Sequence, residues 1–590
     1  MKSASALSAE QKHFAAIAHT ERADKRAAAL RQASKSPAST LGNEFDLSSS
    51  SSPGTLANRF SSPPLLPGLL QSVKEILGEE AEPSAIQALS LEHLFERDRD
   101  ARWKQCLLAS ETGSGKSIAY LLPLLQDLKR TELEGSQSFS SPRKNLSKPL
   151  NPRALVFAPT HELSRQLAGF AKNLSHIIKL RVMCASRANT RTRAKVTGTA
   201  SKMKENLIDM INGDESGEFV ISRGNQSSRP VDLLVGTPMK LLELERGRGW
   251  NWEQRARERA LRINTENPAK ADGISDTREP RKFWVDEPEM GLENVEWVVV
   301  DEADVLFDPD FEESTRQLLS DIAAARGQPV AVIPASALSS SQTPAPTPDS
   351  PHPISYPFNF LLTSATIPSS LSNYLSTYHP TLTRLASPNL HHLPSTLRTE
   401  HAKWTGGNKD ADIERRIRRV WAEDALAHAK SVHAGLGPAK LSKIIIFCNK
   451  RTKVEELAAF LEGRGIKNVA LTGGADSRKR GSNHHLDGFL KPSATSAEPN
   501  TTVKTGSSDP AVIPHVLLTT SLLSRGLDFS PEIKHVFIVD EPRNMIDFLH
   551  RAGRAGRAGE AGKVVVFGRA SGRGSGRTAD MRKRVRALTA

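Results

Sequence analysis

Two short stretches carry residue types that could do chemistry. The first is "SETGSGKS", Ser110–Ser117, which follows the apolar run "WKQCLLA" and precedes a helical pattern. Gly113 and Gly115 allow the backbone from Ser110 through Glu111, Thr112 and Ser114 to curl so that amide N–H groups face phosphate oxygens. Lys116 can then reach the β- and γ-phosphates, the Ser117 hydroxyl can ligate Mg²⁺, and the next helix aims its positive end at the same point. The strict phosphate-loop pattern wants glycine where Ser110 stands, so the match departs at one position.

The second stretch is "VEWVVVDEADVLFD", Val295–Asp308, where three carboxylates interrupt an apolar run. Unpaired carboxylates beside a core are costly, so a cation is expected to meet them. In phosphate-loop enzymes an acid at the end of a neighbouring strand holds Mg²⁺, which assigns Asp301. Glu302 is then placed to polarise an attacking water. The competing reading is an acidic cap on the following helix; the presence of "GSGKS" upstream argues against it.

These residues need rigid supports, and the sequence supplies them. "WKQCLLAS", "RALVFAPT", "VDLLVGTP", "VEWVVVDE" and "NFLLTSAT" are short apolar runs closed by small or polar residues. Helical segments such as "SIAYLLPLLQDLKR" and "ELSRQLAGFAKNLSHIIK" lie between them. Buried strands alternating with helices predict a parallel sheet covered on both faces. The pattern stops near residues 385–435 and restarts with "KIIIFCN", "NVALTGG", "HVLLTT", "HVFIVD" and "KVVVFGR". The expected organisation is a disordered leader over 1–55, an α/β domain over 56–388, a polar connector with a helix over 389–435, a second α/β domain over 436–570 and a basic tail over 571–590. Tracts near 131–152, 246–290 and 326–356 read as surface insertions. The charged tract that holds Trp250 and Trp252 could fold or bind a partner.

A chain of 590 residues is too long for one core. Its net charge of +14 is compatible with nucleic acid and equally with a solvated basic surface. Cys106, Cys184 and Cys448 are far apart and lack C-x-x-C spacing, which disfavours a disulfide framework or thiolate zinc site. His391/His392 reads as an exposed linker pair. No run approaches about 18 apolar residues, so no membrane span is expected. The N-terminal 40 residues are rich in Ala, Ser, Lys and Arg, which fits an organelle transit peptide imperfectly and a plain tail nearly as well.

"DEAD" resembles the signature of the DEAD-box RNA helicases, and further motifs of that family follow in order. "PSAIQ" resembles the adenine-reading Q motif, "PTHELSRQ" motif Ia with His161 in place of the usual arginine, "TPMK" motif Ib and "SAT" motif III. "IIFCN" is similar to motif IV, "TSLLSRGLDF" to motif V with Ser521 in place of the usual aspartate, and "HRAGRAGR" to motif VI. The resemblance covers roughly residues 60–568 and implies two tandem RecA-like domains, ATP and Mg²⁺ as cofactors, and RNA as partner. By the same match Gln87 would contact adenine and Asp528 the ribose, with Phe60 the nearest candidate to stack on the base. Arg554 and Arg557 would act as arginine fingers. Asp304, Ser364, Thr366 and His550 would couple the ATP site to domain closure. Thr160, Thr237, Pro238, Lys240, Asn449, Arg480 and Thr520 would lie near the RNA strand, mostly at phosphate and ribose. The double glycine usual between motifs Ia and Ib is replaced by basic "SRANTRTRAK".

Within the family, "ETGSGKS", "PTHELSRQ" and "HRAGRAGRAG" resemble the fungal mitochondrial members associated with mitochondrial ribosomal RNA and large-subunit assembly. That implies a monomer in the mitochondrial matrix, acting on structured ribosomal RNA beside ribosome-assembly proteins. The alternatives are a nuclear or cytosolic ribosome-biogenesis helicase, an RNA clamp with little turnover, and a DNA translocase. Lys116→Ala is expected to weaken nucleotide binding or turnover by about tenfold or more, the size of a charge-assisted hydrogen bond. Nucleotide titration and ATPase assays check this, and unchanged activity would refute the phosphate-loop assignment.

Overall fold

The computed structural model describes residues 59–62, 65–95, 103–137, 148–185, 231–252, 285, 287–330, 353–388, 390, 393, 396–430, 441–472, 483–491, 509–556, 560–568, 583 and 585. The leader, the middle parts of the three insertions, the "SRANTRTRAK" tract, His391/His392 and nearly all of the tail lie outside them.

In the first half α1 (Pro67–Leu77) and α2 (Ala85–Phe95) precede β1 (Gln105–Ala109) and α3 (Lys116–Gln137). Then come β2 (Ala154–Phe157), α4 (His161–Ser175), β3 (Val182–Ala185), β4 (Leu233–Gly236) and α5 (Pro238–Arg246). β5 (Trp297–Val300), α6 (Ala303–Leu306), α7 (Glu312–Ala325), β6 (Asn359–Ser364), α8 (Ser369–Tyr378) and β7 (Thr383–Ala386) complete it. The seven strands form one parallel sheet in the order β3-β4-β2-β5-β6-β1-β7. β2, β3, β4 and β5 are buried at every position, which is why they read as continuous apolar runs rather than alternating ones.

The second half runs β8 (Leu397–Lys403), α9 (Lys409–Ala429), β9 (Lys443–Phe447), α10 (Arg451–Gly463), β10 (Asn468–Leu471), β11 (Val516–Thr519), α11 (Ser521–Ser524), β12 (Ile533–Ile538), α12 (Met545–Ala552) and β13 (Gly562–Gly568). Its six strands are also parallel, in the order β10-β11-β9-β12-β13-β8. The fold is therefore α/β with two parallel sheets, as the alternation of apolar runs and helices implies.

The stretch read as a polar connector instead supplies an edge strand. β8 pairs with β13 over its whole length, Leu397 to Lys403. Its sequence "LRTEHAK" is only half-buried and carries charge, so no apolar run marks it. Arg416 of α9 and Lys563 of β13 both reach Glu400 on this strand, the latter at 2.8 Å.

Both ends of the charged insertion pack on the first domain. Arg246 forks onto Asp321 at 2.7–2.8 Å and lies over the Trp250 ring at 4.8 Å. Trp250 packs against the buried core of the first domain, and Met290 returns to bridge Leu150. Among the described residues no helix is long and apolar enough to cross a membrane. Ile445 sits in the centre of the second sheet and is fully buried. Ile445→Ala should cost about 2–5 kcal/mol through lost apolar contact and a residual cavity, read as a lower urea midpoint.

Candidate functional site: strand ends facing a domain cleft

Parallel strands deliver their following loops to one edge, and that edge gathers the chemistry. β1 ends in the phosphate loop, β5 in "DEAD" and β6 in "SAT"; the three are neighbours in the order β5-β6-β1. Ser110 N donates to Ser364 O at 3.0 Å, which fixes the start of the loop against β6. Gly113 and Gly115 both take φ of +85°, the left-handed turn the loop requires.

Gln87 holds this loop from behind. Its Oε1 accepts from Ser84 N at 2.9 Å, and its Nε2 donates to Gly115 O at 3.2 Å. Ser84 Oγ donates to Ser114 O at 2.7 Å. A Cβ on Gly115 would stand 2.2 Å from Gln87 Nε2, so close approach as well as φ demands glycine there. Lys116 lies on the Ser110 and Glu111 carbonyls at 2.7 and 2.9 Å. Burial lowers its pKa and nearby Arg554 adds to the effect, while Glu302 and Asp301 oppose it.

The acids are arranged by an unusual turn. Glu302 adopts φ 53° and ψ 53°, a left-handed conformation that a non-glycine residue occupies only when its surroundings force it. Asp301 accepts from Thr363 Oγ and from Glu302 N, and Tyr120 OH lies 3.4 Å from its Oδ2. Burial and the adjacent Glu302 raise the Asp301 carboxyl to about 6. Glu302 Oε2 is buried with no hydrogen-bond partner. A buried acid pushed up beside an unsatisfied carboxylate oxygen, with oxygen donors alone, suits a hard divalent cation.

Asp304 faces the other way. Ser364 Oγ and Thr366 Oγ1 bond it at 3.1 and 3.0 Å. His550 Nε2, from α12 of the second domain, lies 2.9 Å from its Oδ2, and Arg525 lies at 3.6 Å. His550 Nε2 is also 3.1 Å from Thr366 Oγ1. Ligand atoms of Glu302, Asp304 and His550 all lie within 4.8 Å of one another. Burial alone would push the Asp304 carboxyl up, but His550, Arg525 and Thr366 outweigh it and hold it well below the usual range.

The motif VI helix supplies the rest. Arg554 is buried, its Nε donating to His550 O at 2.9 Å and its Nη1 to Leu527 O at 3.2 Å. Thr112 Oγ1 of the phosphate loop reaches Gly553 O at 3.3 Å. Ser117 opens α3 beside Tyr120. Asp528 is exposed on the loop after α11. Arg557 and Arg480 lie outside the described residues.

The remaining candidates sit at other strand ends. Thr160 follows β2, and Thr237 and Pro238 follow β4, its neighbour; Asn449 follows β9 and Thr520 follows β11, again neighbours. Thr160 Oγ1 caps α4 by accepting from Leu163 N at 3.3 Å. Lys240 is buried within the first domain, its Nζ 3.5 Å from Glu243. Phe60 is buried in the first domain's core with Leu65 and Leu69.

Motif spacing did not single out Tyr120, Thr363, Arg525 or Arg551. Arg551 is buried, and its guanidinium meets Ser521 Oγ at 2.7 Å, Asp547 at 2.6 Å, Asn449 Oδ1 at 2.6 Å and Asp540 O at 3.1 Å. The negative charge missing at Ser521 is thus provided by Asp547, four residues earlier on the same helix. That i,i+4 spacing is the one signal the sequence offered.

Comparison with known proteins follows the same lines. The profile of the DEAD/DEAH box helicase family matches residues 84–374, and that of the helicase conserved C-terminal domain matches residues 431–559. This chain belongs to the DEAD-box helicase family. The helicase is 35% identical over 554 residues to "ATP-dependent RNA helicase MRH4, mitochondrial" of Cryptococcus neoformans, covering 88% of this chain and 85% of that one. It is 27% identical over 568 residues to the protein of that name from Aspergillus niger, covering 85% of this chain and 73% of the relative. In fold it is similar to S. cerevisiae Dbp5 bound to RNA and ADP BeF3, with a TM-score of 0.52, 16% identity, and coverage of 90% and 94% of the two chains.

Because the folded-state pKa of Asp304 is depressed, its stabilisation is present above the ordinary carboxylate value of about 4 and is lost as pH falls through the depressed value. Asp304→Asn should therefore flatten the acid limb of a stability–pH curve. Urea midpoints from neutral pH to pH about 3 check this; equal slopes in the two proteins would contradict it.

Proposed function

We propose that this helicase hydrolyses ATP to remodel RNA locally, in mitochondria, on structured ribosomal RNA during large-subunit assembly. The supporting observation is the buried contact of His550 and Arg525 with Asp304, one residue beyond Glu302's neighbour in the "DEAD" turn. It joins the second domain to the acid cluster of the first, so ligands that favour this contact drive domain closure. The mitochondrial reading rests on the curated relatives and on the Ala/Ser/basic leader.

In this reading the phosphate-loop amides and Lys116 hold the β- and γ-phosphates, Gln87 reads adenine and Asp528 meets the ribose. Ser117 and Asp301 would hold Mg²⁺, which would neutralise charge developing on the transferred phosphoryl group. Glu302 orients the attacking water and takes its proton. Arg554, whose charge is felt at Lys116, stabilises the spreading negative charge, and Arg557 is assigned the same task. Thr160, Thr237, Pro238, Lys240, Asn449, Arg480 and Thr520 form the RNA path across the two domains. Of these, Lys240 would need to leave Glu243 to reach a phosphate. Binding through backbone and ribose is insensitive to sequence and selective for the 2′-hydroxyl.

The domain limits in this reading are a nucleotide-binding domain over 56–388, a connector with a helix over 389–435 and a second domain over 436–570; the pairing of β8 with β13 supports counting that strand with the second domain. A second reading, an RNA clamp with little turnover, draws on the departures at His161 and Ser521. It is weakened by Asp547, which keeps Arg551 paired. Glu302→Gln should retain ATP and RNA binding but slow hydrolysis by about 10²–10⁴-fold, leaving a long-lived complex. RNA-stimulated ATPase and RNA-release assays decide; prompt RNA release by the variant, or an ATPase rate flat in RNA, would refute the reading.

A further inference from the structure

The second domain also touches the first at a place the hydrolytic chemistry does not use. Three contacts converge on the first two turns of α4. Asn483 Nδ2 donates to Glu162 O at 2.9 Å, and Asp528 N donates to Gln166 Oε1 at 3.0 Å. Gly526 approaches Leu163 so closely that a Cβ would stand 2.3 Å from Leu163 Cδ2, and its φ of +69° disfavours other residues on backbone grounds as well. Leu163 and Gln166 are three residues apart and share a helix face. The same turn is tied to the Thr160 loop, because Thr160 Oγ1 accepts from Leu163 N.

Thr160 and Asp528 are assigned to different ligands, RNA and the ATP ribose. The turn between them is bonded to both. We propose that the first two turns of α4 are the seat on which the second domain closes, and that Gln166 is a positioning residue that fixes Asp528 only in the closed arrangement. The inference rests on the proposed ATP- and RNA-gated closure. Its content is that closure is registered on the motif Ia helix as well as around the catalytic loops, where His550 meets Asp304 and Gly553 meets Thr112. A single backbone bond from Asp528 then makes the ribose contact conditional on a helix anchored in the RNA-side loop.

The test uses the full chain with one dye on each domain, placed at Leu133→Cys and Val512→Cys. Those side chains are 48% and 56% exposed, while the three native cysteines are buried. Energy transfer is followed with adenylyl-imidodiphosphate, Mg²⁺ and a uridine oligonucleotide. Gln166→Met keeps the size of the side chain and removes the acceptor. It should need about fivefold more RNA for half-maximal closure, the effect of one net neutral hydrogen bond. The RNA concentration for half-maximal ATPase should rise in parallel, with kcat at saturating RNA and thermal unfolding unchanged. Asn483→Ala should add a similar factor. Closure by Gln166→Met at the wild-type RNA concentration overturns the inference and leaves the helicase reading standing. A wild-type chain whose energy transfer never responds to the ligands overturns both.

Discussion

The structure turns on one buried charge. Asp304 sits at the carboxyl edge of the first sheet, out of water, where an unpaired carboxylate would cost several kcal/mol. Among the described residues of its own domain, its side chain bonds the hydroxyls of Ser364 and Thr366. Its partners there, His550 Nε2 and the Arg525 guanidinium, come from the second domain. Separation of the domains therefore has to be compensated by water entering the cleft, and docking is compensated by charge pairing. A contact of that kind suits the ligand-gated closure proposed above.

Sheet topology decides which loops meet there. β1, β6 and β5 are neighbours, so the phosphate loop, "SAT" and "DEAD" lie side by side although about 250 residues of sequence separate the first from the second. β2 and β4 stand next to them and carry Thr160 and Thr237 to the same edge. Strand order alone thus sorts the loops proposed for the nucleotide from those proposed for RNA. The long insertions do not disturb this, because the ends of the charged one return to the first domain through Arg246–Asp321 and the Leu150–Met290 bridge.

The departures from the family pattern are absorbed locally. Ser521 keeps a hydrogen bond to Arg551 but not a charge, and Asp547 supplies the charge from one turn back along α12. Because Arg551 also holds Asn449 and the Asp540 carbonyl, the loops after β9, β11 and β12 remain braced together. Asp547 thus gives the buried Arg551 guanidinium the anion that Ser521 does not.

By itself the sequence determined the fold class and most of the chemistry. Strands buried on both faces must be written as unbroken apolar runs, and the loops that cradle phosphate need glycine, lysine and hydroxyl residues in fixed order. Both constraints are local, so "GSGKS", "VVVDEAD" and the second set of apolar runs were legible. β8 was not, because this edge strand is half-buried and carries charge. The partners of Asp304 and Arg551, the left-handed turn at Glu302, the burial of Lys240 and Phe60, and the seating of Gly526 on Leu163 were decided by tertiary structure. Each depends on which side chain or backbone arrives from a distant element, and no spacing rule along the chain records that arrival.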